Sequence, residues 1–286
     1  MEMDKMQAPN ALPADLHGHA FELSTGSEPE PAGGRLSPLR WPLSVLLVLV
    51  PSLFGTLLIQ VIFPRILKTN PIPFLYLYLP WWIVFSGSIT SLAALIAYRL
   101  EGNSFTWRHF KARFRLHMIR GAEWRWLWLL LLTFAGAVAL MQLIGPRLAS
   151  IPGLAMPVSF PPELNPSDPA GLVPGEFMGV TLAGKWWLPA VYFIGWVMNI
   201  MGEELWFRGY MLPRQEAAYG GKAWILHGVV WSLHHLWQRW TLPVLAPYSF
   251  LWSYIIQRGR NTTIPIVVHG AGNLIPLVVI VRGVSG

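Results

Sequence analysis

The sequence predicts an all-α fold, a polytopic membrane helix bundle with about seven transmembrane helices. Three observations carry that expectation. Of 286 residues, 53% are hydrophobic and only 12% are charged, about half the charge of an ordinary soluble domain. The mean hydropathy is +0.44. Seven apolar segments approach the ~20 residues a helix needs to cross a ~30 Å hydrocarbon layer. Sixteen tryptophans suit a chain that meets the water–lipid boundary repeatedly.

The first segment runs from Trp41 to Pro64, the second lies within Pro71 to Tyr98, and the third runs from about Trp126 to Pro146. The fourth begins near Trp186 and passes Gly202, and the fifth runs from about Ala223 to Gln238. The sixth lies within Trp240 to Gln257, and the seventh runs from about Ile264 to Val281. Pro243 and Pro247 interrupt the sixth, so a shorter or re-entrant helix is its alternative.

Three regions follow. Residues 1–39, which include His17 and His19, are polar and rich in Pro, Gly and Ser; they read as a disordered cytoplasmic tail without a secretory signal. Residues 40–185 hold the N-terminal helices, a basic loop and a Pro-rich external loop, and residues 186–282 form the expected catalytic core. The basic loop from Arg99 to Arg125 is expected inside, which places the N-terminus inside and the C-terminus outside. Lys and Arg then divide roughly two to one in favour of the inner loops, as expected for an integral protein of the plasma membrane. Within that loop Trp107, Phe110, Phe114 and Met118 recur at helical spacing among basic residues. They fit an interfacial helix on an anionic leaflet or an ordinary basic loop equally well. Ala149 to Gly184 reads as irregular.

The formal charge of +7 is accounted for by inner loops, so nucleic acid is not expected as a partner. The absence of cysteine excludes disulfides and thiolate chemistry.

Charges inside a span cost about 2.5–3.5 kcal/mol each and default to a functional reading. They gather late in the chain. Glu203 and Glu204 are adjacent and face about 100° apart. Glu204 and Arg208 are one turn apart, in the favourable acid-first order. Glu203 is left without a cation and is suited to take a proton from water. The bland reading is that both acids neutralise Arg208. The fifth span carries His227, His234 and His235, with Trp231 one turn before His235. The seventh carries His269 and Asn273 on one face, two donors that would make an oxyanion hole, or merely glue between packed helices. At ~1.5 Å per residue, Glu203 and His235 lie roughly 16 and 19 Å from the inner surface, and His269 and Asn273 roughly 8 and 14 Å. A single site in the inner half of the bilayer is geometrically possible.

These residues resemble a known family. Glu203-Glu204-x-x-x-Arg208, Trp231-x-x-x-His235 and His269-x-x-x-Asn273, in that order on separate spans, are similar to the three motifs of the CPBP family, which holds CAAX prenyl endopeptidases and bacteriocin-processing or immunity proteins. The resemblance spans about Trp186 to Arg282. It implies peptide-bond hydrolysis near the cytosolic face. Glu203 would activate water and His235 would help to hold it. Glu204 and Arg208 would orient the site, and His269 and Asn273 would stabilise the oxyanion. Trp231 stands where the family usually has Phe, which bears on pocket shape more than on chemistry.

The expected partners are a peptide or lipidated-protein substrate and membrane lipids. No cofactor is expected. Zinc is the alternative, with Glu203, His235 and His269 as the ligands it would use, but no His-Glu-x-x-His pair is present. A non-proteolytic immunity or scaffold protein and, less favoured, a proton-coupled transporter are the competing readings.

Overall fold

A computed structural model of the chain describes residues 36–166 and 173–286; most of the expected tail, with His17 and His19, lies outside them. These residues belong to one compact unit, 31–286.

Helix α1 (Trp41–Thr69) and helix α2 (Leu75–Leu100) each contain a π turn, at Leu58–Ile62 and Trp82–Ser88. The short helix α3 (Trp107–Arg113) begins at Thr106, whose hydroxyl accepts the amide of His109, and helix α4 (Gly121–Leu148) follows. A two-residue hairpin, β1 (Glu176–Phe177) and β2 (Val180–Thr181), precedes helix α5. That helix runs over residues 187–219, with a π segment at Glu204–Met211. Helix α6 (Ala223–His234) leads through a 3-10 turn (Leu236–Thr241) into helix α7 (Leu242–Gly259), and helix α8 (Thr263–Ser285) closes the chain with a break near Asn273.

The all-helical expectation stands, with that hairpin the only strand pairing among the described residues. Four helices among the described residues are long and apolar enough to cross a membrane: α1, α2, α4 and α8. The expected count of seven is therefore met in part. The doubtful sixth segment is one 18-residue helix. Pro243 sits in its first turn, where no amide hydrogen is needed, and Pro247 is carried inside it. The fifth is the short one: α6 has 12 residues and rises only ~18 Å. Arg239 of the following turn donates to the Gly153 carbonyl, and the Trp240 indole donates to that of Leu164, so the 149–184 loop packs against the end of this segment.

The described residues of that loop have little regular structure, as expected, but they are folded into the core. Phe160, Leu164, Phe177, Met178, Val180 and Leu182 are buried, clustered with Tyr78, Trp82, Tyr192 and Trp240. Two other expectations shift. Leu39, assigned to the tail, is buried, and its amide donates to the Arg214 carbonyl. In the basic loop Phe114 is buried against Tyr98 and Gly209, whereas Trp107 and Met118 are exposed. The aromatic stripe is thus divided between core and surface.

Helices α2 and α5 cross closely. A methyl group at Gly202 would overlap the Thr90 hydroxyl and the Gly87 carbonyl. The absent side chain lets Glu203, the next residue, face into the bundle from a helix held tight against α2.

Candidate active site

The adjacent carboxylates point to different partners, as their angular separation requires. Glu203 is 4% exposed and is met from three elements. The Ser86 hydroxyl donates to its Oε1 at 2.5 Å from α2, the Asn199 amide donates at 2.6 Å from one turn earlier on α5, and His234 Nε2 lies 3.4 Å away at the end of α6. Asn199 also donates to Ser86 Oγ at 2.6 Å. The contacts to Glu203 fall on one oxygen; Oε2 is buried and has no hydrogen-bond partner among the described residues.

Glu204 is fully buried. Its Oε1 accepts Arg208 Nη1 at 3.1 Å, the expected one-turn pair, and His269 Nδ1 at 2.8 Å. The Arg208 guanidinium, itself fully buried, lies 3.6 Å over the centre of the Trp231 ring. An indole is the strongest side-chain face for a cation, which gives the Trp at this position a physical role.

His269 is fixed by its neighbours. With Nδ1–H on a carboxylate, a neutral imidazole keeps its lone pair on Nε2. Asn273 Nδ2 donates to that nitrogen at 3.1 Å and reaches Asn199 Oδ1 at 3.5 Å. The two side chains meet as expected, but not as two free donors. While the imidazole is neutral, the two Asn273 amide hydrogens go to His269 Nε2 and, more loosely, to Asn199 Oδ1.

The histidine beside Glu203 is His234, not His235. His234 closes α6 as its last residue, and His235 follows as the cap. His235 Nδ1 donates to the Trp231 carbonyl at 2.9 Å, and its ring meets the Trp231 ring edge-on at 4.7 Å. Both imidazoles line the same cavity as Glu203, His269 and Asn273, a space of about 550 Å³. His227, the third imidazole of that segment, is elsewhere. It bonds Gln215 at 2.8 Å, which in turn donates to Ser44.

Among the described residues no three His, Asp or Glu side chains are grouped to hold a metal ion. Of the three residues named for zinc, His269 bonds Glu204, and the imidazole within reach of Glu203 is that of His234.

Residues that sequence reasoning passed over are Ser86 and Asn199; His234 was named only as one of three imidazoles on its span. Asn199 carried a signal, since it lies one turn before Glu203 on the same helix face. Ser86 carried only the weak one of a hydroxyl-rich stretch, Ser86 to Ser91.

The fold and the site define a helical membrane protein with a buried carboxylate–imidazole–amide centre assembled from four helices. Residues 185–275, about a third of the chain, match the family described as Type II CAAX prenyl endopeptidase Rce1-like. That match supports the CPBP family of CAAX-type proteases and an integral membrane protein. No curated protein and no solved structure matches the chain.

Proposed function

We propose that the protein is a glutamate-dependent intramembrane endopeptidase that cleaves membrane-associated peptides. The observation that carries this reading is the asymmetry of Glu203. One oxygen is held by Ser86 and Asn199, while the other is buried, unbonded to protein and part of a side chain that lines the cavity. A carboxylate fixed in this way is oriented to take a proton from water.

In this scheme the Glu203 carboxylate removes a proton from water, and the oxygen attacks the carbonyl carbon of the scissile peptide. His234 supports the charge on Glu203, and His235 helps to hold the water. The carbonyl π pair moves to oxygen, and the Asn273 amide exchanges its long 3.5 Å bond to Asn199 Oδ1 for one to the oxyanion. His269 steadies the Asn273 amide through Nε2, and Glu204, paired with Arg208, holds the imidazole in place from Nδ1. Collapse re-forms the carbonyl and breaks the C–N bond. The proton held by Glu203 passes to the leaving amine, so one water is consumed per bond cleaved.

This scheme uses no metal. Purified protein is expected to hold well under one zinc per chain and to keep its activity in chelator. The active cavity is taken to lie in the inner half of the plasma membrane, with the N-terminus cytoplasmic. The same reading divides the chain into tail, N-terminal helices and a catalytic core at 186–282.

The decisive measurement is cleavage of a membrane-reconstituted peptide substrate by Glu203→Gln and His269→Ala. Both are expected to lose about 10²-fold or more in kcat while still inserting and folding, with Tm within a few degrees of the parent. Parental turnover in Glu203→Gln would remove the basis of the assignment.

A further inference from the structure

The cavity that holds Glu203 has a smaller neighbour. A chamber of about 90 Å³ lies between α1, α2 and the π segment of α5. Trp81, Ser86, His234 and Trp237 line both spaces and form the wall between them. Two of these four, Ser86 and His234, are the groups that reach Glu203 Oε1 from α2 and α6. The chamber therefore lies directly behind the contacts that hold the carboxylate.

Most of its lining is apolar, but two polar groups in it are unsatisfied. Ser52 and Trp81 are each 7% exposed. Neither Ser52 Oγ nor Trp81 Nε1 has a hydrogen-bond partner among the described residues. A serine inside a helix can bond back to the carbonyl one turn earlier, as Ser249 and Ser253 do in α7; Ser52 does not. Gly55, three residues on from Ser52 and also in the lining, bares α1 at this level. A methyl group there would come within 3.6 Å of Trp81 Nε1, so the indole N–H faces the bare stretch of α1. Buried polar groups without a protein partner are where ordered water sits. One water needs roughly 10–15 Å³ of such space, so the chamber has room for it. A lipid acyl chain, the other occupant an apolar space would admit, can bond neither group.

We propose that this chamber is a water site: Ser52 and Trp81 hold water behind Glu203, and it passes Ser86 and His234 to the carboxylate while a peptide fills the main cavity. The supply role rests on the hydrolase reading, in which each cleavage consumes one water. A peptide that fills the main cavity displaces the water there, and a store on the far side of Ser86 and His234 is kept.

Radiolytic hydroxyl labelling of the full chain in nanodiscs, in heavy-oxygen water, reads the site without reference to activity. Phe85 and Trp206 line the chamber but not the main cavity, and Tyr248 lines the main cavity alone. In the parent, Phe85 and Trp206 are expected to take up label from water. In Ser52→Val and in Gly55→Ala their labelling is expected to fall several-fold while that of Tyr248 is kept. Both variants are also expected to cleave a long peptide with kcat about tenfold lower, and to cleave a short peptide that leaves the main cavity wet at the parental rate. An equal loss on short and long peptides marks a structural defect and overturns the supply role. Unlabelled Phe85 and Trp206 in the parent, or their crosslinking to a phospholipid with a photoreactive acyl chain, overturns the water site and leaves the hydrolase standing. No turnover of any peptide by the parent overturns the hydrolase and the supply role with it, whereas labelling still decides whether the chamber holds water.

Discussion

Glu204→Ala is expected to destabilise the protein far more than Glu203→Ala. Arg208 is fully buried, and among the described residues its one hydrogen bond runs from Nη1 to Glu204, with Nε and Nη2 unpartnered. Removing Glu204 leaves a guanidinium in the bundle with only the faces of Trp231 and, farther off, Phe207, and strips His269 Nδ1 of its acceptor. Breaking one side of a buried ion pair costs about 3–5 kcal/mol. The hydrogen bond lost at His269 adds roughly 1 kcal/mol. Scaling from soluble chains of this size, that is a fall of roughly 10 °C in Tm. Glu203→Ala removes a carboxylate whose neighbours Ser86 and Asn199 still bond each other, so its Tm is expected within a few degrees of the parent although cleavage is lost. The double variant Glu204→Leu/Arg208→Met removes both charges and is expected to regain most of the lost stability without regaining activity. Thermal melts followed by tryptophan fluorescence in detergent, alongside peptide cleavage, read both quantities. A Glu204→Ala protein that melts with the parent would refute the dependence of Arg208 on this acid.

Asn273→Ala is expected to lower kcat by about 10²–10³-fold with little change in KM, because its amide acts on charge formed in the transition state; steady-state kinetics on one peptide check this. Gly202→Ala is expected to force α2 and α5 apart, since the added methyl would overlap Thr90 and the Gly87 carbonyl, and to lower both Tm and kcat. A variant that melts and cleaves like the parent would contradict the tight crossing. Trp231→Phe keeps an aromatic face but weakens the attraction for Arg208, with an expected loss of about 0.5–1 kcal/mol in stability, read by denaturant titration.

Much of the site was legible in the chain because charge in an apolar segment is conspicuous. Glu204 and Arg208 pair as one-turn spacing requires, and His269 and Asn273 touch for the same reason. Local period does not report which of two adjacent residues faces a partner when a helix is about to end. His234 rather than His235 meets Glu203 because α6 stops at His234 and the cap turns the next ring back onto Trp231. Hydropathy marked the fifth segment as a span but cannot see that it ends after 12 helical residues, since the 3-10 turn beyond it is also apolar and aromatic. The Pro-rich loop lacks any period, so its burial against Tyr78, Trp82 and Trp240 had no signature in the residues themselves. The seven expected crossings rest on that same apolar pattern, and only four helices among the described residues meet the length and composition of a span.

Ser86 reaches Glu203 from a helix 117 positions upstream, outside residues 185–275, which carry the family likeness. The conspicuous stretch is thus chemically incomplete. Transplanted into another bundle, it would bring its acid, imidazoles and amides but leave a hydroxyl behind. The host would have to offer a donor at the same depth, or the carboxylate would swing and lose the geometry that keeps its second oxygen free.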